Sequence, residues 1–316
     1  MKKLLLKEAF NSTFHKKLNF DDLLNLEIIN EYTSFNIRNK QILNPSEKLK
    51  KYHRFLNSFI FDYAKINTSV VHSYRKEKTA YTAVSVHANS KYFFQSDIND
   101  FFNSITATDI KNVLNSNLDD SPISDIVNYK DQLINIVTVN NILPIGFSTS
   151  PNISNTCLYN FDNSLETYCN ERDINFTRYA DDIILSSNTK ESMVGIEEIV
   201  SKILNEFFND RFVLNQHKTK RLRKGNKVKL LGMVILPSGK VTVDMKLKKQ
   251  LEILLHFYIN DKDKFSDYLG KVYSGKLSTI SGQLNYINTV DKNYLNKLRK
   301  KYGNYIVDLF FHSTVK

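Results

Sequence analysis

The stretch TRYADDIILSS, residues 177–187, places two adjacent carboxylates between two short apolar runs. The runs are rich in aromatic and aliphatic residues and predict the two strands of a hairpin at about 175–187, with Asp181 and Asp182 at its tip. Adjacent like charges repel each other, so an isolated pair of this kind is most often a solvated turn. A cation-binding role would require further acidic groups supplied by another part of the chain.

A third carboxylate occurs in QSDINDFFNSI (95–105), where Asp97 ends a predicted buried strand at 90–98. A helix N-cap is the plainer role for Asp97. A carboxylate at the end of an aromatic-rich buried strand is nevertheless costly unless it is paired or binds a cation. Hard cations prefer carboxylate oxygens, and two metal ions about 4 Å apart can promote phosphoryl transfer. Together the three aspartates predict a site for two Mg²⁺ ions, with Mn²⁺ as a substitute.

The composition indicates a polyanionic partner. The 316 residues carry 44 Lys and Arg against 33 Asp and Glu, a formal net charge of +11, which favours nucleic acid over a membrane surface. Cys157 and Cys169 are the only cysteines, which fits a reducing cytosol and gives no zinc pattern. The opening MKKLLLKEAF has too short an apolar run for a signal peptide, and no stretch is apolar enough for a membrane span. We therefore expect a soluble cytoplasmic protein with no membrane partner.

The hydrophobic pattern divides the chain into a basic helical start, a mixed centre and a basic helical end. Residues 32–43 predict a hairpin, and a helix capped by Ser46 follows it. Two helical stretches are expected near 106–117 and 123–139, and another near 190–209. Only 9 glycines and 5 prolines interrupt the chain, which favours long helices and few linkers.

Six segments in chain order resemble a reverse transcriptase. They are RNKQILNPSEKLK (38–50), DINDFF (97–102), LPIGFSTSPNISN (143–155), the YADD hairpin, FVLNQHKT (212–219) and LLGMVI (230–235). The stretch LNYINTVDKNYLNKLRKKYG (284–303) is similar to the thumb end of bacterial retron enzymes. The resemblance spans roughly residues 30–303.

The resemblance implies an α+β fold with the right-hand polymerase architecture of fingers, palm and helical thumb. Residues 1–90 would form N-terminal helices and fingers. Residues 91–236 would form the palm, an antiparallel sheet plus helices that carries the catalytic centre, with fingers helices inserted at about 106–150. Residues 237–316 would form the helical thumb.

The resemblance also assigns roles to individual residues around the metal site. Asp97, Asp181 and Asp182, with the backbone carbonyl of Ile98, would hold the two Mg²⁺ ions. The expected nucleotide-binding residues are Arg38, Lys40, Phe102, Gly146 and Lys218. A ring at Phe102 would exclude a 2′-hydroxyl, although one of the two rings Phe101 and Phe102 is expected to belong to the core. For Arg38 and Lys40 the alternative is a solvated turn.

Basic residues are the expected contacts to nucleic acid. Seven cations without an acid lie between 218 and 229, a run that is usually a solvated loop and that in a polymerase would follow phosphates. Cations of the C-terminal helices could hold structured RNA by its shape. With a tyrosine at the primer terminus, the predicted set is Tyr179, Lys220, Arg221, Arg223, Lys224, Lys246, Lys248, Lys249, Lys297, Arg299 and Lys300.

Several positions depart from the family pattern. Ile145 stands where the family usually has glutamine, Phe147 stands where a small residue is common, and Leu230-Leu231-Gly232 replaces Val-Thr-Gly. His87 closes AVSVH (83–87), in which the first two residues of a retron signature are replaced; a packed structural histidine is the alternative reading. These departures leave the subfamily open.

The leading hypothesis is a retron-type reverse transcriptase that copies part of a partner non-coding RNA into DNA. The product would be a branched RNA–DNA hybrid used in anti-phage defence. Its expected partners are the structured RNA, the DNA product, deoxynucleotides and an effector protein. The alternatives are a non-retron defence reverse transcriptase, template-independent or protein-primed, and a mainly scaffolding RNA–DNA-binding component of a toxin–antitoxin-like complex.

Overall fold

A computed structural model of the chain describes residues 3–37, 40–116, 118–225 and 227–312. The chain forms two compact units. Unit 1 comprises Met1–Lys78 and Phe94–Arg221, and unit 2 comprises Thr79–Phe93 and Leu222–Lys316. The division between them falls within two of the strands, β3 and β6, described next.

The central feature is a four-stranded sheet of order β4-β5-β3-β6, made of β3 (Tyr92–Asp97), β4 (Asn175–Tyr179), β5 (Asp182–Ser187) and β6 (Lys220–Arg223). β4 and β5 form the predicted hairpin, in antiparallel register from Asn175 opposite Ser186 to Tyr179 opposite Asp182. Apolar side chains at 183–185 are buried, and they anchor β5 in the core of unit 1. The strand predicted at 90–98 and the hairpin predicted at 175–187 are therefore confirmed.

A second hairpin comprises β1 (Tyr32–Ile37) and β2 (Lys40–Pro45), as the alternation at 32–43 predicts. The N–H of Leu43 in β2 donates to the carbonyl of Ile145, 2.8 Å away, which fixes the 143–149 loop against the hairpin. Gly146 is needed there, since its φ is +110° and an added Cβ would lie 2.0 Å from the Leu43 carbonyl oxygen.

Helices supply most of the core of unit 1. Ser46 accepts from the N–H of Leu49 and caps the third helix as predicted, and buried Tyr52, Phe55 and Leu56 follow at helical spacing. The helices of unit 1 are α1 (Leu6–Phe14), α2 (Phe20–Leu24), α3 (Glu47–Phe59), α5 (Phe101–Ser104), α6 (Ala107–Ser116), α7 (Lys130–Val137), α8 (Ser150–Cys157), α9 (Tyr159–Asn170) and α10 (Ile196–Phe208). The last of these begins later than the predicted 190 because Gly195, at φ +70°, forms its N-cap.

Unit 2 combines a small sheet with helices. Its three-stranded antiparallel sheet contains β7 (Val228–Leu230), β8 (Met233–Ile235) and β9 (Val241–Val243). Its helices are α4 (Ala80–Val86), α11 (Met245–Asn260), α12 (Lys262–Tyr273), α13 (Leu277–Val290), α14 (Lys292–Tyr302) and α15 (Asn304–Phe311). The helical C-terminal part is thus confirmed, and the division into fingers, palm and thumb stays a prediction.

One buried carboxylate connects several elements of unit 2. Asp291 is 4% exposed and pairs with Lys240 at 2.9 Å and Lys248 at 3.1 Å, and it accepts the hydroxyl of Thr242. Burial raises the pKa of Asp291, but these three partners outweigh burial and lower the pKa to about 2. The carboxylate therefore joins β9, α11 and the start of α14.

Candidate active site

The candidate site lies in unit 1, where the end of β3 meets the tip of the β4–β5 hairpin. The backbone N–H of Ile98 donates to the carbonyl of Asp181 at 3.0 Å, which joins the strand end directly to the turn. The turn consists of Ala180 and Asp181, and Ala180 adopts the left-handed conformation with φ +56°. The structure thus brings Asp97, Asp181 and Asp182 into one region, although Asp97 is 84 residues from Asp181 in sequence.

Asp97 is 4% exposed and does not cap a helix, so the N-cap alternative is wrong. Its Oδ2 accepts from the ammonium of Lys218 at 2.6 Å, and its buried Oδ1 has no hydrogen-bond partner among the described residues. An unpaired buried carboxylate oxygen is costly. The hydrogen bond that Lys218 donates to Asp97 raises the pKa of Lys218, so this cation stays charged at neutral pH.

The two hairpin carboxylates are electrostatically strained. Burial and, to a smaller extent, the charge of Asp181 together raise the pKa of Asp182 to about 6, against a long 3.5 Å hydrogen bond from Gln95. Burial also raises the pKa of Asp181, with a smaller contribution from the charge of Asp97. Lys218 opposes both shifts. The site therefore concentrates negative charge that favours a cation.

The donor set fits a divalent metal ion in its chemistry. Three carboxylates are the hard oxygen ligands that such ions prefer, and the orphaned Oδ1 of Asp97 offers an unused ligand atom. The ammonium of Lys218 already occupies a cation position beside them. Within the described ranges, no three His, Cys, Asp or Glu side chains converge tightly enough to form a complete metal site. A complete site would thus require a rearrangement of side chains around Lys218.

A cavity of about 250 Å³ is formed by the β1–β2 hairpin, by α5 with the residue before it, and by the loop after α7. Lys40 and Ile145 line it, so the departure from glutamine at 145 changes this wall directly. Lys40 also lowers the pKa of Asp181 electrostatically, which links the hairpin to the carboxylates. Arg38, the other predicted cation of the hairpin, lies outside the described residues.

The predicted sugar gate is the less buried of two neighbouring rings. Phe101 is 4% exposed and packs against Phe212 in the core, whereas Phe102 is only partly buried beside Phe101. This assigns Phe101 to the core, as expected for one ring of the pair, and leaves Phe102 partly buried against the core, where its role as a gate stays a prediction. Phe147, in contrast, is buried against His53, with ring centroids 4.7 Å apart, so it fills the core.

Some of the predicted nucleic-acid contacts are exposed, and others form ion pairs or hydrogen bonds within the protein. Exposed cations are Lys220, Arg221, Arg223, Lys246, Lys249, Lys297 and Lys300, and Tyr179 is half-buried. Arg221 nevertheless pairs with Glu197 at 2.9 Å, and Lys224 donates to the carbonyl of Ala88. Lys248 is bound to Asp291, and Arg299 to Asp308 at 2.7 Å. For these last two residues the structure shows a packing role within unit 2.

His87 is fully buried at the C-terminal end of α4, which favours the packed structural histidine.

A second buried polar group was missed from the sequence: Arg178, within the quoted stretch TRYADDIILSS, is fully buried and pairs with Asp162. The sequence shows only an arginine between the aromatic residues of a short strand, 16 residues after an aspartate. Gln95, which approaches Asp182, was missed as well.

The sheet and the hairpin tip bring three carboxylates together, which is the arrangement expected of a polymerase. The model for the family "Reverse transcriptase (RNA-dependent DNA polymerase)" matches residues 28–235, which is more than half of the chain. The protein belongs to the reverse transcriptase family and is an RNA-directed DNA polymerase. The predicted right-hand polymerase fold class is thereby confirmed, and enzymes of this family use divalent metal ions.

Similar sequences include two retron enzymes of Escherichia coli. The retron Ec83 reverse transcriptase is 23% identical over 293 residues, covering 90% of this chain and 91% of the relative. The retron Ec86 reverse transcriptase is 26% identical over 274 residues, covering 84% and 78%. The predicted resemblance to retron-type enzymes is therefore confirmed.

Similar solved structures are more distant. A telomerase from Candida albicans has a TM-score of 0.47 at 9% identity, covering 96% of this chain and 67% of that one. A foamy viral protease-reverse transcriptase in complex with double-stranded DNA has a TM-score of 0.42 at 16% identity, covering 88% and 43%. The assignment to the reverse transcriptase family rests on the family match.

Among the helices of the described residues, none is both long and apolar enough to cross a membrane.

Proposed function

We propose that the protein is a retron reverse transcriptase that copies part of a partner non-coding RNA into DNA by two-metal nucleotidyl transfer. The observation that carries the chemistry is the meeting of Asp97 from β3 with Asp181 and Asp182 from the hairpin turn. All three lie inside the region that matches the family. The raised pKa values of Asp181 and Asp182, and the orphaned Oδ1 of buried Asp97, fit a site whose charges are compensated by bound cations.

Asp97, Asp181, Asp182 and the carbonyl of Ile98 would hold Mg²⁺, with Mn²⁺ as a substitute. When bound, the ions would supply the positive charge that activates the attacking hydroxyl and stabilises the leaving oxygen. The carboxylates would position the ions. The backbone N–H of Ile98 holds the hairpin turn in place through its 3.0 Å hydrogen bond to the carbonyl of Asp181. Lys218 would leave Asp97 and turn its ammonium toward the leaving phosphates, since its side chain is 63% exposed.

The remaining side chains would bind and select the nucleotide. Lys40 faces the cavity beside the hairpin and would attract the triphosphate, together with Arg38. Phe102 presents a partly buried ring that would exclude a 2′-hydroxyl and so select deoxynucleotides. Gly146 acts indirectly: it permits the close approach of its loop to β2 and so sets the wall formed by Ile145.

Exposed cations would hold the primer–template duplex and the partner RNA. Lys220 and Arg223 stand at the two ends of β6 and are both exposed, so both are available to phosphates. On the helices of unit 2, the exposed cations Lys246, Lys249, Lys297 and Lys300 would contact structured RNA. Tyr179 would lie next to the primer terminus.

The biological part of the proposal is supported by the relatives, which are named as retron reverse transcriptases. By this likeness the product would be a branched RNA–DNA hybrid, made in the cytoplasm and used with an effector protein against phage. A non-retron defence enzyme would instead make DNA without a template or attached to a tyrosine.

The proposal is tested with Asp181→Asn and with the exposed control Asp210→Asn. We expect Asp181→Asn to abolish DNA synthesis while RNA binding remains largely intact, because the amide cannot supply the charge that a divalent cation requires. Asp210→Asn should retain synthesis. Undiminished synthesis by Asp181→Asn would refute the metal-site assignment.

Sequencing the nucleic acid that copurifies with the protein tests the retron assignment separately. A single DNA sequence joined to RNA through a branch is the expected result. Long DNA without a template, or DNA attached to a tyrosine, would instead support the non-retron alternative. Phage defence that survives loss of all three aspartates would support the scaffolding role.

A further inference from the structure

We propose that Arg178, held by Asp162, is a positioning residue that fixes the backbone of the hairpin turn on which Asp181 and Asp182 stand. The inference rests on the proposed role of these two aspartates. It concerns a buried ion pair that makes no contact with the carboxylates of the site and acts on them through the carbonyl of Ala180.

The pair is fully buried and bidentate. Arg178 on β4 and Asp162 on α9 are both 0% exposed. The Nε of Arg178 donates to Oδ1 of Asp162 at 2.7 Å, and its Nη2 donates to Oδ2 at 2.6 Å. This parallel fork is the strongest form of such a contact and holds the guanidinium in one plane. The helix therefore determines where the remaining donors of Arg178 point.

The remaining nitrogen reaches the turn. Nη1 of Arg178 donates to the carbonyl of Ala180 at 3.0 Å, and also to Oδ1 of Asn155 on α8 at 3.2 Å. Ala180 is the left-handed residue at φ +56°, a conformation that costs free energy for a residue with a side chain. A hydrogen bond to its carbonyl stabilises that conformation, and the next two residues are the aspartates.

The strand that carries Arg178 is fixed on its outer side as well. In the sheet order, β4 is the edge strand, and the backbone of Arg178 pairs with an adjoining segment. Its N–H donates to the carbonyl of Val70 at 2.8 Å, and its carbonyl accepts from the N–H of His72 at 2.9 Å. Asn155 binds Ser73 in the same segment, donating to its carbonyl at 2.9 Å. Arg178 thus joins α8, α9, the 70–73 segment and the turn.

Stability alone does not require an ion pair here. Buried ion pairs can often be replaced by apolar residues of similar volume without loss of stability. A lysine in place of Arg178 could keep the charge, but its single nitrogen cannot make a planar fork to Asp162 and also reach Ala180. The arginine is thus specifically needed because, beyond the two hydrogen bonds to Asp162, it has a further N–H group that reaches the carbonyl of Ala180 in the turn.

The experiment compares Arg178→Lys, the paired change Arg178→Met with Asp162→Leu, and the control Arg172→Lys in the full-length protein. Arg172 lies just beyond α9 and pairs with the neighbouring Glu171 on the surface. The measurements are thermal unfolding, affinity for a defined RNA template–DNA primer, and the rate of single-nucleotide incorporation across a range of MgCl₂ concentrations. If Arg178→Lys folds poorly, the paired change still tests the proposal, because it replaces both members of the buried ion pair with apolar residues.

We expect both Arg178 variants to bind primer–template as the unchanged protein does. Incorporation should be roughly 10²-fold slower, since small displacements of reacting groups have effects of this size. The MgCl₂ concentration at half-maximal rate should also rise, which a loss of stability alone would not cause. Arg172→Lys should match the unchanged protein in all three measurements.

A paired variant with an unchanged rate and unchanged MgCl₂ dependence would overturn the inference. A slow rate that recovers fully when the assay is run well below the melting temperature would also overturn it. Asp181→Asn, run in parallel, separates the two proposals: if it retains synthesis, the proposed function fails. If it loses synthesis while the Arg178 variants do not, only the positioning role fails.

Discussion

Replacing Asp182 with asparagine should stabilise the metal-free protein while removing its activity. Burial, with a smaller contribution from the charge of Asp181, raises the pKa of Asp182 from 3.8 to about 6. The ionised carboxylate is thus less favourable in the folded chain than in the unfolded one. Asparagine has nearly the same shape and carries no charge, so the change removes this cost.

The size of the effect follows from the shift. A change of about 2 pKa units corresponds to roughly 3 kcal/mol, an upper limit that partial solvent access reduces toward about 1–2 kcal/mol. Because the folded pKa is the higher one, the cost is fully present above pH 6. It falls as the pH decreases from about 6 to 3.8, and is lost below that range.

The assay is thermal unfolding in EDTA at pH 8 and pH 5. We expect Asp182→Asn to unfold several degrees above the unchanged protein at pH 8, and the difference to fall by roughly half at pH 5. Millimolar MgCl₂ at pH 8, compared with KCl at equal ionic strength, should raise the melting temperature of the unchanged protein more than that of the variant. Asp210→Asn is the control for a simple charge effect.

Two results would refute this reasoning. Asp182→Asn could be no more stable than the unchanged protein at pH 8 in EDTA, which would mean that the carboxylate is not strained. Alternatively, the difference could be the same at pH 5 and pH 8, which would mean that it does not arise from ionisation of Asp182.

Three further predictions concern neighbouring residues. Phe102→Ala should admit ribonucleotides, and unchanged discrimination between dNTPs and rNTPs in incorporation assays would remove the ring from the gate. Gly146→Ala should destabilise the protein by about 1–3 kcal/mol or more in denaturant unfolding, since φ is +110° and its Cβ would meet the β2 backbone; Gly225→Ala, whose Cβ would meet nothing within 4 Å, is the matched control. Lys218→Met should lower stability in EDTA by about 1 kcal/mol, because it leaves buried Asp97 unpaired. Mg²⁺ should restore that loss, and a variant as stable as the unchanged protein in EDTA would contradict the pairing.

The parts of the fold that depend on local pattern were predictable. The β4–β5 hairpin and β3 follow from short apolar runs, and α3 follows from its cap and its helical spacing. The meeting of Asp97 with the hairpin was also accessible, since a buried carboxylate needs a partner and the resemblance supplied one. The strands and α3 required only residue type and order along the chain.

Tertiary partners were not predictable in the same way. Nothing local distinguishes Lys248 and Arg299, which are engaged by Asp291 and Asp308, from the exposed lysines beside them. The pairing of Arg178 with Asp162 depends on how α9 packs beside β4, which the one-dimensional pattern does not encode. Likewise, Phe147 could only be placed in the core once its neighbour His53 was known.

The division of the chain between the two units has a consequence for its synthesis. Residues 79–93 leave the ribosome early, yet they belong to a unit whose other members begin at residue 222. Unit 1 is likewise incomplete until residue 221 has emerged, because β6 closes its sheet. Such long-range closure slows folding and exposes apolar surface in the nascent chain. Expression with slowed translation or added chaperone should therefore increase the yield of soluble enzyme, and truncation before residue 220 should leave an aggregating product.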